Sequence, residues 1–151
     1  MRSFAIGLTC GLRSMTGPAV VQWRARDPIR LALAGLAAGE LIADKLPATP
    51  ARTIPPALIF RALSGGFAGR SVARSFGADL SGGTLAGALG AVLAAFAGQA
   101  LRASIVRTSG LPDPLVAFAE DAVAIAGAIA ASRKPADERP PGAGPTETGA
   151  Q

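Results

Sequence analysis

Glu40 and Asp44 stand four residues apart in an apolar stretch, so a helix there puts both carboxylates on one face, with Lys45 turned about 100° away. Glu120 and Asp121 form a second acidic pair inside another apolar run, and Arg13 and Arg61 interrupt two more. An ionised group at membrane depth costs roughly 2.5 kcal/mol or more, and it faces a bundle interior, a partner or water. Two readings follow. Arg13, Glu40, Asp44, Arg61, Glu120 and Asp121 converge on a narrow polar pathway that binds or conducts a small solute or ion, or the arginines pair with the carboxylates purely to lock helices together. A further group, Thr49, Arg52 and Thr53 among prolines, has the donors to contact an anion or a lipid headgroup at the surface. Its plainer reading is a stiff connector.

Other chemistry is excluded by residue type. The chain has no His and a single cysteine, Cys10, which leaves no thiol–imidazole pair, no disulfide and no ordinary zinc ligand set. We therefore expect no metal, no cofactor and no enzymatic activity, since nothing spaces Ser, Asp or Glu as a nucleophile and base. The net charge of +5 does not point to nucleic acid, because the arginines are scattered singly between apolar runs. They suit the flanking charges that orient membrane helices.

Half of the residues are hydrophobic and 17% are charged, yet there are only six Phe, one Trp and no Tyr, so the apolar content is mainly Ala, Leu, Ile and Val. A soluble helical bundle is the alternative, and the hydropathy opposes it. The expected fold is an all-α polytopic transmembrane bundle of about five spans, at residues 3–23, 29–46, 55–75, 80–106 and 114–132, with a disordered polar tail over 133–151. The strongest of these has no charge from Ser81 to Leu101, which at about 1.5 Å per residue just crosses a hydrocarbon core of roughly 30 Å. The weakest is the third, with Arg61, Arg70 and Arg74. The first is broken near its middle, where Gly11, Gly17 and Pro18 allow a break and Arg13, Ser14 and Thr16 supply polar groups. Asp27-Pro28 and Asp113-Pro114 open the second and fifth.

Small residues recur at helical spacing. Gly7 and Gly11, Gly35 and Gly39, Gly65 and Gly69, and Gly83 and Gly87 make one small-xxx-small pair in each of the first four segments, and Ala122, Ala126 and Ala130 repeat the pattern in the fifth. Such glycine-rich seams imply close packing within the chain, with a second copy or with another membrane protein. Leu12-Arg13, Asp27-Pro28 and Glu40 are echoed by Leu101-Arg102, Asp113-Pro114 and Glu120, a weak repeat that five crossings would make inverted. Counted over five spans, Lys and Arg favour a cytoplasmic C-terminus with the N-terminus outside.

The segments GLRSMTGPA (residues 11–19), GELIADKLPATPARTIPP (39–56), RALSGG (61–66) and DPLVAFAEDAVAIAGA (113–128) together resemble an uncharacterised bacterial integral membrane protein family, the domain of unknown function 4126, over most of residues 1–132. On that resemblance Arg13, Glu40, Asp44, Lys45, Arg52, Glu120 and Asp121 match signature positions. The resemblance implies a small helical protein of the bacterial inner (plasma) membrane, in contact with its lipids, and names no activity. The expected function is a transporter or channel-like protein for a small solute or ion. The alternative is a non-catalytic structural or accessory protein that works through helix–helix assembly.

Overall fold

The computed structural model describes residues 1–43 and 53–133. Six helices run in order, α1 (Arg2–Leu12), α2 (Thr16–Ala25), α3 (Arg30–Ala43), α4 (Pro55–Ser75), α5 (Leu80–Ser109) and α6 (Asp113–Ser132), with no strand among the described residues. The end of the expected second segment, at 44–46, and nearly all of the expected tail lie outside the described residues.

The first segment departs from expectation. Pro18 has no N–H and its ring clashes with the carbonyl four residues back, so a helix is tolerated there only if it has just begun. The chain accordingly leaves helix at Arg13, with φ −141° and ψ 108°, and starts again at Thr16. The two halves fold back on each other instead of continuing. A Cβ on Gly17 would collide with Cys10 Sγ and lie 3.6 Å from Ile6 Cγ1, whereas eleven residues of unbroken helix would hold Gly17 and Ile6 about 16 Å apart. The outer ends of the hairpin also meet. Arg2 sits 4.3 Å over the Phe76 ring, and Arg24 and Ala25 line a crevice with the same Phe76 and with Ser132. Arg2 also donates to the Arg133 carbonyl. Residues 3–23 therefore enter and leave the bundle at one end, where the start of α1 and the end of α6 lie together.

Of the remaining helices, α4, α5 and α6 pack along this hairpin and α3 lies beside α2. Ser3 faces Gly83, Gly7 meets Gly87, and Gly11 meets Ala91 and Ala94, so α5 is parallel to α1. Gly65 meets Gly87 and Ala91 while Gly69 meets Gly83 and Gly87, so α4 is antiparallel to both. In α6, Asp121 reaches Arg13 and Gly127 lies against Thr9, which returns the chain to the end where it began. α3 leaves the same end beside α2 and climbs until Glu40 reaches Ser14 and Met15. Parallel α1 and α5 do not fit the expected inverted repeat: with the first segment folded back, only α3 and α4 separate the hairpin from α5, so the chain returns to the direction of α1.

Local signals set the other boundaries. The Asp79 carboxylate accepts from Ser81 and Gly82 N–H at the start of α5, and Gly110 closes that helix at φ 66°. Pro55 and Pro56 occupy the first turn of α4, where no N–H is missed.

Side-chain size is distributed inside out. The largest fully buried side chains are Arg13, Ile6 and Cys10, and the rest of the core is mainly alanine and glycine. Leu85, Leu89, Leu93 and Phe96 of α5, Ile59, Phe60 and Leu63 of α4, and Leu115, Phe118 and Val123 of α6 all face outward. A chain folding in water buries such groups and exposes its charges. Among the described residues two helices, α5 and α6, are long and apolar enough to cross a membrane.

Glycine lets three backbones converge at one point. A Cβ on Gly87 would run into the Gly65 carbonyl and come within 3.0 Å of Gly69 Cα, and Gly7 presses on Gly87 from α1. Two of the expected packing positions differ: among the described residues nothing lies within 4 Å of a Cβ built on Gly35 or Gly39, because α3 packs against α2 through its other faces. In α6 the alanine stripe Ala122, Ala126 and Ala130 is exposed, and the packed face is Ala117, Asp121, Ala124, Ala128 and Ala131. The buried carboxylate sets that orientation, since Asp121 must turn toward Arg13.

Candidate functional site

The hairpin turn, Arg13 to Met15, lies at the middle of the bundle. Gly11, two residues before it, meets Ala94 and Ala95 near the midpoint of α5, and Arg13 reaches Asp121 near the midpoint of α6. A break in a helix exposes carbonyls on one side and N–H groups on the other, and each needs a partner when water is excluded. Both are supplied by side chains. Arg61 Nη1 of α4 donates to the Gly11 carbonyl at 2.7 Å, at the C-terminal end of α1. Glu40 of α3 accepts from the Ser14 N–H through Oε1 and from the Met15 N–H through Oε2, each at 2.7 Å, at the N-terminal end of α2. The Arg61 guanidinium and the Glu40 carboxylate are themselves 3.9 Å apart.

The charges match the helix ends they meet. A cation sits at a helix C-terminus and a carboxylate at a helix N-terminus, the favourable sense for both dipoles. Arg13, fully buried in the turn, donates through Nε to Asp121 Oδ1 and pairs with it again through Nη2. Thr9 donates to the Ile6 carbonyl and Ser64 to the Phe60 carbonyl, so these hydroxyls are satisfied within their own helices.

Four of the expected pathway residues, Arg13, Glu40, Arg61 and Asp121, thus gather around one turn. Glu120 is placed elsewhere. Its Oε2 lies 3.7 Å from Arg102 Nη1, and Arg102 also holds Asp113 in a two-pronged pair at 2.8 and 2.6 Å. Adjacent positions on a helix differ by about 100°, so Glu120 and Asp121 cannot both face the hairpin. Asp44, Lys45, Thr49 and Arg52 lie outside the described residues. Thr53 is half-buried just ahead of α4.

The sequence reading did not find the partners on the backbone, namely the Gly11 carbonyl and the Ser14 and Met15 N–H groups. Their only signal was the helix break itself. It also did not assign Arg102, in the last third of α5, to Asp113 at the start of α6.

What this arrangement can do chemically is limited and specific. It holds a polar, charged turn at mid-depth with two half-helices ending on it, and Glu40 contacts both the backbone and a guanidinium. Among the described residues no three His, Cys, Asp or Glu side chains are grouped to hold a metal.

No curated protein and no solved structure matches the chain. The sequence pattern of one family, described as Domain of unknown function (DUF4126), matches residues 1–136, a span that contains the hairpin and every arginine and carboxylate of these two clusters, and the chain belongs to that family.

Proposed function

We propose that this chain is a multi-pass protein of the bacterial inner membrane, with α3 to α6 crossing the bilayer and α1–α2 as a re-entrant hairpin. The outward large apolar residues support the placement, and so do the lengths. At 11 and 10 residues, α1 and α2 extend about 16 and 15 Å, each about half of a 30 Å core. Arg2, Arg24, Arg26, Arg30, Arg74 and Arg133 belong to the end where α1 starts and α6 finishes, which orients that end toward the cytoplasm.

Its activity is passage of a small solute or ion through the turn at the centre. The observation that carries this reading is the break at mid-depth bounded by two half-helix ends. Non-helical backbone is kept at that depth where it is buried in protein or lines a path, and opposed helix ends with charged partners are how membrane helices present a site to a solute. Glu40 is the group whose release from the turn would free the Ser14 and Met15 N–H groups for a passing ligand.

The test is proton and cation flux in proteoliposomes under an imposed gradient, comparing the natural chain with Glu40→Gln. Flux that the folded Glu40→Gln variant loses supports the pathway. Absence of flux from the natural chain, with destabilisation of Glu40→Gln as its only effect, favours the second reading: a non-catalytic assembly protein in which the four charges lock the hairpin. The approach of each buried arginine to a carboxylate, Arg13 to Asp121 and Arg61 to Glu40, is the observation in favour of that alternative.

A further inference from the structure

Val72 and Phe76, at the end of α4, are shared by two clefts. One is the crevice already described, which Arg24 lines with Val21 and Ser132. The other has a volume of ≈ 320 Å³ and is lined by Met1, Arg2, Ser3, Val72, Phe76 and Ala78 among others. That volume lies within the range of small-ligand sites, roughly 300–1,000 Å³. Met1 and Ala78, on its rim, are exposed. Among the described residues no carboxylate lines either cleft.

Arg2 is held on two sides by groups that carry no negative charge. Its guanidinium lies 4.3 Å over the Phe76 ring, and it donates to the Arg133 carbonyl. The carboxylates at this end are engaged elsewhere. Asp79 accepts from the Ser81 and Gly82 N–H groups and Asp27 from the Ile29 N–H, and among the described residues neither pairs with an arginine. Arg2 is therefore a fixed cation facing a cleft, with most of its five N–H donors uncommitted. A guanidinium already held in place loses little freedom on binding, and its planar fork matches phosphate oxygens.

We propose that this cleft binds the headgroup of an anionic phospholipid from the surrounding bilayer, with the phosphate against Arg2 and Ser3 and the glycerol along Val72 and Phe76. The order of polarity along the helices favours a lipid over a free phosphate. Deeper along α1 and α5, Phe4, Leu8, Leu85 and Leu89 are exposed, so the outer surface turns apolar where acyl chains would lie. The charge favours an anionic headgroup. A zwitterionic one brings its own ammonium toward Arg2, and Arg24 in the adjoining crevice adds a second like charge against it. The site rests on the membrane placement proposed above and is independent of the transport activity.

The experiment is native mass spectrometry of the full chain, extracted from the membrane fraction, delipidated in detergent and offered phosphatidylglycerol, phosphatidylethanolamine or phosphatidylcholine at equal concentration. The expected result is a phosphatidylglycerol adduct at least tenfold more abundant than either other adduct, and its loss in Arg2→Gln. Arg107→Gln, which removes an exposed arginine at the opposite end, is expected to leave the adduct unchanged. Ala78→Trp fills the cleft without touching a charge and is expected to abolish the adduct as well, and it decides the matter if Arg2→Gln does not fold. Equal adducts for all three lipids, equal losses in Arg2→Gln and Arg107→Gln, an adduct unchanged by Ala78→Trp, or displacement of the lipid by millimolar inorganic phosphate overturns the proposal. Recovery of the chain in the soluble fraction would instead refute the membrane placement.

Discussion

Arg61 and Glu40 divide the two open ends of one broken helix between them. Arg61 takes the Gly11 carbonyl that α1 leaves behind, and Glu40 takes the Ser14 and Met15 N–H groups with which α2 begins. Neither residue belongs to the hairpin; they reach it from α4 and α3. The local break is therefore stable only in the assembled bundle, and its stability is a tertiary property. Each hydrogen bond to a charged group is worth about 1.5–3 kcal/mol.

Glu40→Ala, which removes both acceptors, is expected to destabilise the protein by about 2–4 kcal/mol. Glu40→Gln keeps one carbonyl acceptor and should lose less. Equilibrium unfolding in detergent micelles measures both, and equal losses would contradict the two-acceptor role.

Asp121→Ala leaves the buried Arg13 guanidinium without its carboxylate, and a loss of about 3–5 kcal/mol is expected. The double variant Arg13→Leu, Asp121→Leu removes both charges and should recover most of that stability, because an apolar pair of similar size carries no desolvation cost. Thermal unfolding of the two single variants and the double variant, taken as a cycle, checks the coupling. Additive losses would mean that the pair does not interact.

Gly87→Ala introduces a methyl where the Gly65 carbonyl and the backbones of three helices converge, and should cost about 1–3 kcal/mol. Gly35→Ala adds the same methyl to open space and should be neutral, or stabilising by up to about 1 kcal/mol through helix propensity. The contrast between the two unfolding midpoints is the measurement. A similar response would mean that α3 packs through its glycines in the membrane.

Because Arg2 reaches Arg133, both chain ends are expected on one side of the membrane. Reporter tags fused to either end should be protected or digested together in inside-out and right-side-out vesicles. A cysteine placed at Thr108, near the end of α5, should react from the opposite side, with the buried Cys10 replaced by Ser. Tags on opposite sides would show that residues 3–23 cross.

The composition and periodicity of this chain determined by themselves that it is helical, where most helices begin and end, and that the first segment breaks near Pro18. Those are local matters. Proline lacks a donor, glycine and aspartate terminate or cap, and an uncharged run such as Ser81 to Leu101 declares its length without reference to any neighbour. The sequence also marked the charged residues that had to be accommodated, Arg13, Glu40, Arg61 and Asp121. It could not give the direction in which the chain leaves the break, because a helix interrupted at Arg13 can equally well continue or fold back, and the choice depends on whether Gly17 finds room against Ile6 and Cys10. The end of the bundle from which α3 departs and the sense of α1 relative to α5 both follow from that one choice. Pairing was likewise decided in three dimensions. Glu120 and Asp121 are neighbours of the same type, and only the packing of α6 sent Asp121 to Arg13 and Glu120 to Arg102. Four of the glycine pairs looked alike in the sequence; the Gly35 and Gly39 pair meets nothing among the described residues because α3 packs against α2 through its other faces, a choice that spacing along the chain does not encode.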